Sequence, residues 1–232
     1  MKKYLFLMIL IINSSVFAKS GFEAIINANI GKSIGIPIGD AGFEIKVSFG
    51  FDGALTAQLG FLADFNNNMA MSILGEIGFS HDSFAYKVPN TMYQRNTINN
   101  RFTSLQLGVL PKFNINNFSL GLGAGVKIPF HGRIESYTRV SYTESYRHYE
   151  KISFNDIKSI YNQMYVIPYI KLTFDWFFSD INYTTREFVD TRDLGIGFYL
   201  GYNFGPKSKN YIGTDSFDIG LQLSLRFKPA KN

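Results

Sequence analysis

The chain has 232 residues, no cysteine and a formal charge of +5 at neutral pH. The lack of cysteine excludes a disulfide framework, thiolate chemistry and a lipid-bearing cysteine behind a leader. Two of the positive charges, Lys2 and Lys3, belong to a leader, so the remainder carries +3 (+5 less 2) and gives no reason to expect a nucleic-acid partner.

Met1-Lys2-Lys3 is a basic start, Tyr4 to Ile12 is apolar, and Asn13 to Ala18 supplies the small residues of a cleavage site. That is the pattern of a secretory signal peptide over 1–18. The apolar run is about half of the ~20 residues that a membrane-spanning helix needs. Export without a helical anchor leaves either a soluble exported β-protein or an outer-membrane barrel. The 23 phenylalanines decide for the barrel, because a soluble protein must hide such rings while lipid accepts them.

The first strand carries Phe22, Ala24, Ile26, Ala28 and Ile30 and extends through Ile34, Ile36 and Ile38. The second runs from Phe43 to Phe65 on one apolar parity, with a bend or bulge near Gly53. Asn66-Asn67-Asn68 turns the chain into Met69, Met71, Ile73, Ile77 and Phe79. After a polar stretch, 81–100, come Thr103, Leu105, Leu107, Val109 and Phe113. Asn116-Asn117 then leads into Phe118, Leu120, Leu122, Ala124, Val126, Ile128 and Phe130. A long loop over 131–162 precedes Met164, Val166, Ile170, Leu172, Phe174 and Trp176. The last two strands hold Leu194 to Phe204 and Phe217 to Phe227, the latter a strict alternation of apolar and polar side chains.

Successive strand residues point to opposite faces, so each segment has one apolar face and one polar face. Segments of about ten residues with this character suit strands that cross a bilayer, joined by short turns on one side and long loops on the other. The fold class is an all-β, antiparallel, up-and-down transmembrane barrel over 19–232. It has eight strands, or ten if residues 177–193 hide a hairpin.

The inward parity carries Glu23, Asp64, Lys112, Asp175 and Arg226 toward the short-turn end, and Glu76 and Lys127 toward the other. An unpaired buried charge costs several kcal/mol, so these mixed signs imply ion pairs filling a narrow lumen. Barrel closure makes Glu23 and Arg226 neighbours. Inward glycines at 121, 123 and 125 and at 195, 197 and 201 make room for large inward groups such as Tyr165, Tyr169 and Tyr199. Neither a catalytic, a metal nor a cofactor site is expected. Tyr137, Arg139, Tyr142, Tyr146, Arg147 and Tyr149 in the long loop are the surface-binding candidates, since Tyr and Arg are enriched at binding hot spots.

The leader, the dyad strands and the final aromatic residue resemble the small outer-membrane barrels of the outer-membrane protein A and X type. The last strand, with Asp218, Gly220, Leu223, Leu225 and Phe227, resembles the signal read by the barrel-assembly machinery, although Lys228 to Asn232 follow the aromatic. His81-Asp82-Ser83 is loosely similar to the His-x-Ser element of outer-membrane lipid A deacylases, without its surrounding motif. The resemblance implies an outer-membrane location with lipid and the assembly machinery as partners. The residues themselves suggest a non-enzymatic, structural or adhesion-like role toward a host or matrix protein or glycan. A small pore and a lipid-modifying enzyme are the alternatives.

Overall fold

The computed structural model describes residues 20–38, 46–66, 68–89, 95–139, 144–160, 166–178, 192–207 and 213–228. The expected signal peptide and the connection 179–191 lie outside the described residues. The elements are β1 (Gly21–Ile38), β2 (Lys46–Asn66), β3 (Met69–Pro89), β4 (Arg95–Ile115) and β5 (Phe118–Arg139). They continue with β6 (Ser145–Ser153), the helix α1 (Phe154–Ile160), β7 (Ile167–Phe178), β8 (Arg192–Asn203) and β9 (Gly213–Phe227). All pairings are antiparallel, β1 pairs with both β2 and β9, and β5 with both β4 and β7. Eight strands therefore close a ring, β1-β2-β3-β4-β5-β7-β8-β9, with β6 as a ninth strand outside it.

The dyad pattern explains the wall. Along β5 from Phe118 to Ala124, exposed and buried residues alternate without a break. Leu122, 66% exposed, faces outward, while Ser119, on the opposite parity, is buried. The same holds for Leu221 and Leu223 outside and Gln222 and Ser224 inside on β9. An apolar exterior around a polar interior inverts the arrangement of a soluble domain and matches a hydrocarbon solvent. At the short-turn end, aromatic rings gather outside: Phe118 stacks on Trp176 at 5.3 Å, and Trp176 on Phe178 at 5.7 Å. Asn116 takes φ 51°, a left-handed conformation that Asn tolerates in a tight turn.

The expected bend in the second strand is present as a register shift between Val47 and Gly53, against Tyr86 and His81 of β3. There β3 folds toward the inner surface of β1: Ser33 Oγ donates to the Ser83 carbonyl at 2.5 Å. A Cβ on Gly35 would collide with the Ala85 carbonyl, so this crossing needs glycine there.

Two expected loops are corrected. Residues 81–89 and 95–100 continue β3 and β4, and 131–139 continues β5, which then pairs with β6 from His131↔Ser153 to Arg139↔Ser145. Above the lipid the outward face meets water and only a few inward positions are apolar, so hydrophobic alternation fades although the ladder of backbone hydrogen bonds goes on. Periodicity cannot see such strands. The helix α1 starts at a reciprocal cap: Ser153 donates from its amide (2.8 Å) and Oγ (2.7 Å) to the Asp156 carboxylate.

Candidate functional site

The lumen is filled by polar side chains, with one apolar cluster among them toward the short-turn end and a second at the upper end. Toward the short-turn end, Ile25, Leu74 and Phe177 form a small apolar cluster. Arg226 lies 4.9 Å over the Phe177 ring and donates from Nε to Glu23 at 2.5 Å. In the same region Lys112 reaches Asp175 at 2.9 Å, and Gln222 donates to the same carboxylate at 2.6 Å. Next, the Glu76 carboxylate accepts from Lys171 (2.6 Å), Gln58 (2.7 Å), Gln106 (2.5 Å) and the Tyr169 hydroxyl (2.9 Å). Asp64, half-buried beside a short turn, makes no ion pair among the described residues; its amide donates to Ser20 Oγ at 3.3 Å.

The uppermost polar layer brings Asp52, Asp82 and Asp218 together, with one carboxylate oxygen from each lying within 4.8 Å of the others. Lys127 donates to Asp82, Tyr199 to Asp52 and Asn203 to Asp218. Ser80 Oγ also donates to Asp82, at 2.7 Å, so a single ammonium and several neutral donors serve three carboxylates. The glycine pattern has its counterpart here. A Cβ on Gly125 would stand 2.8 Å from Tyr169 Cε1, and one on Gly220 2.7 Å from Tyr199 Cε1, so the two rings that serve the acidic layers occupy the volume that glycine leaves. Tyr165 lies outside the described residues.

The upper plate consists of Phe84, Phe102, Ile152, Ile157 and Ile167, each at most 2% exposed, with Ile134 against them. It draws on β3, β4, β6, α1, β7 and β5. These residues sit in or beside segments expected as loops. Their signal was an isolated Phe or Ile on the inward parity within polar sequence, too sparse to read as a pattern.

Among the sequence candidates, the structure pairs Glu23 with Arg226 and Lys112 with Asp175. Glu76 and Lys127 find partners that the sequence reading did not single out, Lys171 and Asp82. Of the loop residues, Tyr137, Arg139, Arg147 and Tyr149 share the outer face of the β5–β6 ribbon by register, while Tyr146, 63% exposed, is on the opposite face. Arg147 lies 5.6 Å from the Tyr137 ring, and Arg133 stacks at 4.0 Å on Tyr149. Tyr142 lies outside the described residues. The His81-Asp82-Ser83 element is taken apart: Ser83 is fully buried, Asp82 holds Lys127, and His81 Nδ1 is 3.3 Å from Thr103 Oγ1.

Closure of eight strands, an apolar exterior and a charged, packed interior define a transmembrane β-barrel of the outer-membrane type. No family model and no curated protein sequence matches the chain. Among solved structures it is similar to Ail, the attachment invasion locus protein of Yersinia pestis, at 14% identity over 88% of this chain and 98% of that one, with a TM-score of 0.36. Neisserial surface protein A matches at 11% identity over 90% and 98% of the two chains, TM-score 0.39. The outer membrane protease OmpT of Escherichia coli matches at 9% over 91% and 97%, TM-score 0.36. At these scores none of the likenesses bears on activity.

Proposed function

We propose that this chain is a sealed, non-enzymatic barrel of the outer membrane whose role is to present the β5–β6 ribbon at the cell surface for contact with a protein or glycan. The observation that carries the reading is the filled lumen, with the apolar cluster of Phe84, Phe102, Ile152, Ile157 and Ile167 at its upper end. This cluster covers the upper end of the lumen and polar side chains, several of them in ion pairs, fill the layers beneath it, which argues against a path for a solute. What remains for function is the outside. There Tyr146 and Tyr149 are 63% and 44% exposed on a two-stranded ribbon that extends beyond the ring, and their rings bring large contact area at low conformational cost. The strict alternation of β9 supports delivery by the barrel-assembly machinery.

The test shortens the ribbon above the plate. Replacing residues 137–149 by a Gly/Ser turn leaves Ile134, Ile152 and Ile157 in place, so the barrel should still show heat-dependent mobility on gels. A screen of the intact and shortened proteins in nanodiscs against surface proteins and glycans should give ligands that only the intact form binds. Equal binding by both forms would remove the ribbon from the argument.

A further inference from the structure

The outer face of β4, β5 and β6 carries a row of three cations. By register, Arg101 of β4 stands opposite Arg133 of β5, which stands opposite Lys151 of β6. The row is on the outside of the wall, because the adjacent row, Phe102, Gly132 and Ile152, points inward into the upper plate. Like charges placed directly opposite one another destabilise a sheet, and here Arg133 has a cation on each side. Internal compensation is slight. Glu135 takes Arg101 at 2.9 Å, whereas Arg133 rests on the Tyr149 ring and neither it nor Lys151 has an ion-pair partner among the described residues. The buried Nε atoms of Arg101 and Arg133 also lack an acceptor.

The position of the row says what could compensate it. The same outer face, followed down the strands, becomes the lipid-facing wall: Phe79 and Phe130 meet edge to face at 6.2 Å, and Leu122 and Val109 are 66% and 56% exposed below them. Only the row of His81, Thr103 and His131 separates that apolar wall from the three cations. At about 3.4 Å per residue along tilted strands, the backbone of the row comes out roughly 10 Å above the last lipid-facing rings, at the outer edge of a headgroup layer roughly 5–8 Å deep into which long Arg and Lys side chains reach. On the opposite wall, the outward row at the upper ends of β2, β1 and β9 holds Phe49, Ile34 and Phe217, and the row below it holds a single cation, Lys32, between Phe51 and Ile219.

We infer that Arg101, Arg133 and Lys151 form a binding site for the phosphate of an anionic lipid headgroup in the outer leaflet, with the acyl chains lying on the apolar wall below. The inference rests on the membrane-barrel reading and is independent of any ligand for the upper ribbon. A phosphate oxygen set between Arg133 and its neighbours would relieve the like-charge row, and guanidinium groups suit it through paired N–H donors. A soluble polyanion would fit the charges but would make no use of their continuity with the lipid-facing wall.

The experiment measures lipid retained per barrel after purification from nanodiscs of phosphatidylcholine doped with phosphatidic acid, for the wild type and for R133Q/K151Q. Wild type should retain phosphatidic acid over phosphatidylcholine, and the double variant should lose that preference by tenfold or more while keeping its heat-dependent mobility. Equal retention by both proteins, or no preference in the wild type, overturns the proposal. So does wild-type binding of a soluble sulfated oligosaccharide that displaces the phosphatidic acid completely, which would assign the row to a soluble ligand. Should the double variant fail to fold, K151Q alone, on exposed β6, should lower the preference about threefold, and an unchanged preference there counts against the site. Loss of detergent-resistant folding in the wild type itself would sink the membrane reading together with this one.

Discussion

Arg226 on the last strand and Glu23 on the first form a 2.5 Å hydrogen-bonded ion pair inside the lumen, on either side of the β1–β9 seam that closes the barrel. Glu23 is fully buried and Arg226 is 5% exposed, so the pair ties the two ends of the ring at a point where neither charge has water to fall back on. Breaking a buried pair from one side leaves the other charge uncompensated, at about 3–5 kcal/mol. E23Q or R226M alone should therefore lower the urea midpoint of unfolding in detergent, whereas the double variant should recover most of the loss. Additive losses in such a cycle would show that the two residues do not act as a pair. Cysteines at 25 and 226, which face each other by register, should also cross-link across the seam.

Parity on β5 separates lipid from lumen within one residue. Leu122 is 66% exposed, whereas a Cβ on Gly123 would come within 2.6 Å of Leu110 Cδ1 inside the barrel. An A124R change near mid-membrane should cost roughly 2–4 kcal/mol, the scale for an arginine facing hydrocarbon. G123V should destabilise by crowding instead, by about 1–3 kcal/mol. Bromolipid quenching of a fluorophore at 124 but not at 123 would separate the two cases, and the reverse pattern would refute the assignment.

The upper plate packs Phe84 against Phe102, whose rings lie 5.8 Å apart and are fully buried. In planar bilayers the wild type should therefore show no steady conductance. F84A/F102A should lower stability by several kcal/mol, given about 3–5 kcal/mol for each buried Phe→Ala change. If the barrel stays folded, the charged layers beneath should become wet and pass small ions. Steady conductance in the wild type would mean that the plate does not close.

The cap of α1 gives the surface a pH dependence with a defined sign. Hydrogen bonds from the Ser153 hydroxyl, then from its backbone amide, hold the Asp156 carboxyl below the usual carboxylate range. A carboxyl depressed in the folded state contributes its stabilisation above the ordinary value of about 3.9 and loses it as pH falls through the folded value. Amide exchange in residues 154–160, corrected for intrinsic rates, should be slow at neutral pH and should quicken below about pH 4. D156N should remove the acid-dependent change. An unaltered profile in that variant would show that the cap does not govern the helix.

Which side chains meet lipid was legible without coordinates, because the two-residue period of a strand leaves only two directions and hydrocarbon tolerates apolar groups alone. From Phe22 to Phe227 the parities follow from this, and the Glu23–Arg226 pair follows from parity together with the rule that the first and last strands of a closed barrel meet. Period and chain order stop there. They say nothing about how far around the ring one inward charge lies from another, so Lys171 with Glu76, 95 residues apart, and Lys127 with Asp82, 45 apart, came only from the closed cross-section. The convergence of Asp52, Asp82 and Asp218 is of the same kind. Above the membrane even the parity signal fades, since the outward positions meet water and only isolated inward ones, such as Phe84, Ile134 and Ile152, are apolar. That is why β6, α1 and the inward turn of β3, which together build the apolar cluster at the upper end of the lumen, belong to the tertiary structure alone.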